Sequence, residues 1–113
     1  MKMQAILDGT VIAESDQTVI VEGNHYFPAD SVRRDRLRDS NLHTTCHWKG
    51  VASYYSVEVD GRVSKDAAWY YQEPSAEAAH IRDRIAFWKD VQVVAVGHGP
   101  TTPEYAAPDG AVC

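Results

Sequence analysis

A mainly β domain with one or two short helices is predicted by three observations. Short β-branched and aromatic runs alternate with Asp-Gly and Glu-Gly turns, the strongest strands alternate in polarity along one stretch, and only one segment carries a helical stripe. The chain has 113 residues, which suits one domain with a single core. Residues 1–96 are expected to form that domain, and residues 97–113, rich in Gly, Pro, Thr and Ala, a C-terminal tail.

The elements follow in order. Residues 4–7 and the run TVIAES flank Asp8-Gly9, a pair suited to a type I′ hairpin because both central positions need positive φ. Thr18 to Val21 is a third β-branched run, turned by Glu22-Gly23-Asn24 into His25-Tyr26-Phe27 and stopped by Pro28. ADSVRRDRLRDSN then alternates Arg and Asp with few apolar residues. It reads as a solvated face, with a short helix capped by Asp30 or Ser31 and ending near Ser40. VASYYSVEV, residues 51–59, places Val51, Ser53, Tyr55, Val57 and Val59 on one face and Ala52, Tyr54, Ser56 and Glu58 on the other. Asp60-Gly61 returns the chain into Arg62 to Tyr71 as an antiparallel partner. After Pro74, Ala78, Ile81, Ile85 and Trp88 make a helical stripe, while Phe87 and Trp88 favour a strand for IAFW. VQVVAV, residues 91–96, closes the set as a strand.

Composition excludes several function classes. A net charge of −5 does not favour phosphate backbones, and the Arg-rich run holds three Asp and no interleaved aromatics, so no nucleic-acid partner is expected. No apolar run is long enough to span a bilayer, and the N-terminus lacks a signal-peptide h-region. With two cysteines, Cys46 and Cys113, there is no disulfide framework, so the expected setting is cytoplasmic, without membrane contact. His43, Cys46 and His47 cluster, but no paired C-x-x-C accompanies them, and no metal site or cofactor is predicted. Neither phosphate-loop pattern occurs.

Two chemistries stay open. Cys46 and Lys49 are candidate catalytic residues, since His47 and Lys49 lie near the thiol in sequence and a nearby cation lowers a thiol pKa. Alternatively Trp48, Trp69 and Trp88, on three different elements, line an aromatic pocket with Lys49 supplying a cation and Tyr54 and Tyr71 orienting a small-molecule ligand. Against the pocket stands the plain role of such rings as core, each burying about 150–250 Å². A third reading makes the exposed aromatics a protein-interaction face, with a homodimer as its simplest form.

TTCHWKGVASYYSV, then AAWYY, Pro74 and IAFW, resemble a small bacterial family known as domain-of-unknown-function family 427, which also carries a nucleotidyltransferase-like label. The resemblance runs from about Tyr26 to Val93 and includes YFP at 26–28, Cys46, WKG at 48–50, Tyr54, Trp69, Tyr71, Pro74 and Ala86-Phe87. His47 stands where the family commonly has proline. The resemblance implies a β-tent-like fold, two antiparallel sheets pinned at one end and splayed at the other. It also implies a short helix over 75–83 followed by a strand at IAFW. The zinc-binding C-x-x-C pairs of several relatives are missing here. The label implies nucleotidyl transfer, but Asp60 and Asp66 only flank a turn, and the acidic pattern of that chemistry is not present.

Overall fold

A computed structural model describes residues 1–96, leaving the tail, with His98 and Cys113, outside the described residues. Nine strands form three antiparallel sheets among these residues, joined by short 3₁₀ turns. Strands β1 (Met3–Leu7) and β2 (Thr10–Ser15) pair, and β9 (Gln92–Ala95) adds to the other edge of β1. β3 (Val19–Val21) and β4 (Asn24–Tyr26) make a separate two-stranded hairpin. The largest sheet runs β5 (Leu37–Cys46), β6 (Gly50–Val59), β7 (Arg62–Tyr71), β8 (Ile85–Phe87). The expected two sheets are present, and the hairpin is a small third one. No helix among the described residues is long and apolar enough to cross a membrane.

The three hairpin turns form where the X-Gly pairs predict them. Asp8-Gly9, Glu22-Gly23 and Asp60-Gly61 all take positive φ at both positions, between 49° and 87°. The segment after Pro74 also follows expectation: a 3₁₀ turn spans Ala76–Ile81, and IAF is a strand rather than a continuation of the helical stripe.

The expected helix over 30–40 does not form. Two single 3₁₀ turns, Ala29–Ser31 and Arg34–Arg36, precede β5, which begins at Leu37. The backbone there pairs with β6, Leu37 facing Val57 and Asp39 facing Tyr55, and sheet pairing overrides a weak helical preference. The charges remain useful on an edge strand: Arg38 pairs with Glu58 across the sheet, and such residues discourage further pairing.

Two clusters of buried side chains lie on opposite faces of the large sheet. An aliphatic cluster gathers Leu7, Ile12, Phe27, Val57, Val59, Ala68, Ile85, Phe87 and Val93 between this sheet and β2-β1-β9. An aromatic cluster gathers Tyr26, Cys46, Ala52, Tyr54, Trp69, Tyr71, Ala78, Ile81 and Ala86 on the other face, with Val19 and Val21 of the small hairpin packed against it. Consecutive residues therefore diverge: Tyr26 and Phe27, Ala68 and Trp69, Ile85 and Ala86 each split between the two cores.

The sheet is irregular at one level. Asp39 faces Tyr55 and His43 faces Ser53, so β5 carries two extra residues against β6. Tyr55 faces Ala68 and Val57 faces Ser64, so β7 also carries two extra residues, opposite Ser56, two positions along β6 from Tyr54, where the β5 ladder is interrupted. Burial along β6 changes phase there, from Ala52, Tyr54 and Ser56 to Val57 and Val59. The simple two-face division read from the alternation is thus covered on one side in its first half and on the other in its second.

Gly50 is required where the β5–β6 turn meets the chain after β7. Its φ is +116°, and a Cβ there would stand 3.3 Å from the Glu73 carbonyl oxygen and 3.6 Å from Pro74 Cα. The Ser75 amide donates to the Lys49 carbonyl (2.9 Å) and Ser75 Oγ to the Trp48 carbonyl (2.8 Å), so the two segments cannot separate freely. Gly50→Ala is expected to lose about 1–3 kcal/mol of stability, measured by urea denaturation. An unchanged midpoint would show that the turn relaxes without cost.

Candidate functional site

The residues singled out by sequence meet around the β5–β6 turn. Lys49, at the end of that turn, is 0% exposed, and its ammonium pairs with the Glu22 carboxylate from the β3–β4 turn. The same ammonium lies 5.4 Å from the ring centroids of both Trp48 and Tyr71, within cation–π range. Trp48 Nε1 donates to the other Glu22 oxygen at 3.2 Å, so one carboxylate receives both neighbours of the WK pair. Glu22 itself reaches in from the surface, with a side chain 36% exposed.

Beneath this pair lie the phenols and the central indole. Trp69 is 0% exposed; its Nε1 donates to Tyr26 Oη at 3.1 Å, and their rings meet edge-to-face at 6.1 Å. Tyr54 is buried, its hydroxyl bonded to Thr44 Oγ1 at 2.9 Å, and Tyr71 is wholly buried. Burial pushes the Tyr26 phenol up to about 12, partly offset by the Trp69 N–H, and burial drives Tyr71 higher still. Both phenols are uncharged near neutral pH. Desolvation would raise the Glu22 carboxyl, but hydrogen bonds from Lys49 and Trp48 and the Lys49 charge outweigh it and hold Glu22 below its ordinary value.

The three tryptophans are not all in ring contact among the described residues. Trp69 and Trp88 meet edge-to-face at 5.5 Å, and Trp88, half-buried, donates its Nε1 to the Asp66 carbonyl at 2.7 Å. Trp48, also half-buried, lies against the Lys49–Glu22 pair, and no ring contact joins it to the other two among the described residues. Lys49, Tyr54, Trp69 and Tyr71 are therefore gathered in one interior cluster, with Trp48 and Trp88 on its margins. Cys46 is buried in the same cluster at the end of β5, opposite Gly50 in the ladder. Two open clefts of about 430 Å³ each flank β6, and no tryptophan lines either one.

Two residues of this site escape sequence reading. Glu22 looks like a turn former before Gly23, and Tyr26 looks like a strand residue before Phe27. Only a signal linking a turn to a lysine 27 positions away would single out Glu22. Tyr26 lies 43 positions from Trp69, its hydrogen-bond partner.

A family model described as a domain of unknown function, DUF427, matches residues 1–97. Its short name carries a nucleotidyltransferase label. No curated protein matches the chain.

Proposed function

Since this chain belongs to the DUF427 family, whose description assigns no reaction, we propose a function from its own residues: it binds a small planar anion at Trp48 and Lys49, in place of the Glu22 carboxylate. The supporting observation is the fully buried Lys49 ammonium held by a carboxylate that arrives on a surface turn. A buried lysine is costly unless paired, so whatever displaces Glu22 must itself bring negative charge. A ligand carboxylate or phosphate would accept from Lys49 and from Trp48 Nε1, as Glu22 does, while its ring lies against the half-buried Trp48 indole. Nucleotides carry both features, which connects this reading to the family's label without requiring transfer chemistry. Transfer itself would need carboxylates gathered around a metal–triphosphate. Among the described residues no group of three His, Cys, Asp or Glu stands together in that way.

Tryptophan fluorescence titrated with adenosine 5′-monophosphate, benzoate and adenosine tests it. The two anions are expected to quench and the neutral nucleoside to bind about tenfold more weakly or worse. Trp48→Phe should lose the response while Trp88→Phe keeps it. Glu22→Ala, which leaves Lys49 without that carboxylate, should bind inorganic phosphate and gain thermal stability as phosphate is added. No anion response from the wild type, together with no phosphate effect on Glu22→Ala, would remove the reading.

A further inference from the structure

Tyr55 and Tyr70 pack at the margin of the aliphatic core, and beyond them the same face of the large sheet carries a row of three hydrogen-bonding side chains. Ser53 of β6 faces His43 of β5 on one side and Tyr70 of β7 on the other. Residues directly opposite in a ladder share a face, and it is not the aromatic one: Ala52 and Tyr54, the neighbours of Ser53, are the residues buried there. Ser53 Oγ and His43 Nδ1 are hydrogen-bonded at 3.1 Å. On the other side, Tyr70 stacks on Tyr55 with ring centroids 4.7 Å apart, and Arg34 donates to the Tyr55 hydroxyl at 3.1 Å. Burial and Tyr55 hold the Tyr70 phenol above its ordinary value, with Ser53 opposing, so an uncharged ring walls that side of the serine.

The His43 side is open. Ser53 and His43 line one of the clefts of about 430 Å³, together with Gly50, Val51, Gln72 and Glu73. A hydroxyl within about 2.6–3.2 Å of an imidazole is the pairing that turns serine into a nucleophile, and here both groups face an accessible cavity. From this geometry we infer a catalytic site, on the face of β6 opposite the aromatic cluster, for acyl transfer from small neutral or cationic carboxylic esters to water. Ser53 is its nucleophile and His43 its base. Ser53 Oγ bonds to the ester carbonyl carbon while its proton passes to His43 Nδ1. The bond from that carbon to the alkoxide breaks, and His43 gives the proton to the departing alcohol. Water then adds to the acyl-serine and its proton goes to His43; the bond to Oγ breaks, the acid leaves, and Ser53 recovers the proton. Gln72 brings an amide donor for the oxyanion, and Glu73 brings an acceptor for His43 Nε2–H, the tautomer in which Nδ1 accepts. The lining holds a carboxylate and no lysine or arginine, which disfavours anionic esters.

The whole chain treated with phenylmethylsulfonyl fluoride, and assayed separately with p-nitrophenyl acetate, tests this. Peptide mass spectrometry is expected to map the sulfonyl adduct to Ser53, and p-nitrophenol should appear above the protein-free rate. Ser53→Ala should lose both. His43→Gln, at an exposed position where the fold tolerates exchange, should slow both by about 10²–10⁴-fold. The hemisuccinate ester, which adds a negative charge, should turn over about tenfold more slowly than the acetate, a difference of about 1.4 kcal/mol. No adduct on Ser53, p-nitrophenol release that survives Ser53→Ala, or labelling of His43→Gln at the wild-type rate would each overturn the site, and equal rates for the two esters would overturn its substrate class. Mapping separates Ser53 from Cys46 and the lysines, the competing nucleophiles, and neither readout depends on Trp48, so the result is independent of the anion titration.

Discussion

Trp69→Ala is expected to remove about 4 kcal/mol of stability, the largest effect of any single truncation on the large sheet. Three losses coincide at this residue. The indole is wholly buried, so its removal leaves a void in a close-packed interior. Its ring contacts are edge-to-face with Tyr26 and with Trp88, on two different elements, and both go. Its N–H is the donor to Tyr26 Oη, a group that burial keeps from water. At about 4–8 °C per kcal/mol for a domain of this size, the melting temperature should fall by roughly 20 °C. Trp69→Phe separates the causes: it keeps most of the apolar contact, leaves Tyr26 without that donor, and should cost about 1–2 kcal/mol. Urea denaturation of both variants with unchanged m-values is the measurement. A Trp69→Ala variant within about 1 kcal/mol of wild type would mean that the aromatic cluster collapses around the gap and does not hold the sheet.

The second large effect is electrostatic. Glu22→Gln keeps the shape of the side chain and removes its charge, leaving the buried Lys49 ammonium without that countercharge. Breaking a buried pair in this way costs about 3–5 kcal/mol, but Glu22 is 36% exposed and water can partly replace it, so about 2–3 kcal/mol is expected at neutral pH. Glu22→Gln combined with Lys49→Met should recover much of the loss, because neither charge of the pair is left. The pH dependence follows from the direction of the Glu22 shift. Its folded carboxyl titrates below the ordinary value of 4.5, so the folded state holds fewer protons than the unfolded chain on acidification. The contribution is therefore complete above pH 4.5 and is lost as the pH falls below it through the folded pKa. Stability of the wild type measured from pH 6 downward should show this acid limb, about pH 4.5 and below, and Glu22→Gln should show a shallower one. Identical acid limbs in the two proteins would show that the Glu22–Lys49 pair carries no net stability.

How far the sequence leads differs from residue to residue. Asp8-Gly9 and Asp60-Gly61 announce their hairpins because a left-handed pair is a local requirement that few residues meet. The β6–β7 pairing follows directly, with Tyr54 facing Trp69 and Ala52 facing Tyr71. The charged run before β5 misleads because helix preference is local and weak, whereas the ladder that captures Leu37 is formed by residues 20 positions away. Lys49 was legible as an odd residue between Trp48 and Gly50, but its burial was not, since a Lys-Gly turn usually points to solvent. Asp66 read only as a residue near a turn, because the extra residues that turn it into a cleft beside β6 appear once register is known.

From its residues alone, then, this chain determines a mainly β domain, its turns, its central strand pair and the aromatic segment around Trp48 to Tyr71. These depend on properties of neighbouring residues: φ preference at X-Gly pairs, alternation along a strand and the bulk of β-branched and aromatic side chains. The tertiary structure decides which face each ring joins, sending Trp69 to one core and its neighbour Ala68 to the other, and leaving Trp48 and Trp88 partly buried at the margin of the aromatic one. It also joins Glu22 to Lys49 and Ser40 to Asp66. Alternation fixes only which residues share a face. Which face is covered, and by what, depends on register and on the docking of the other sheets, and those are set by contacts between distant parts of the chain.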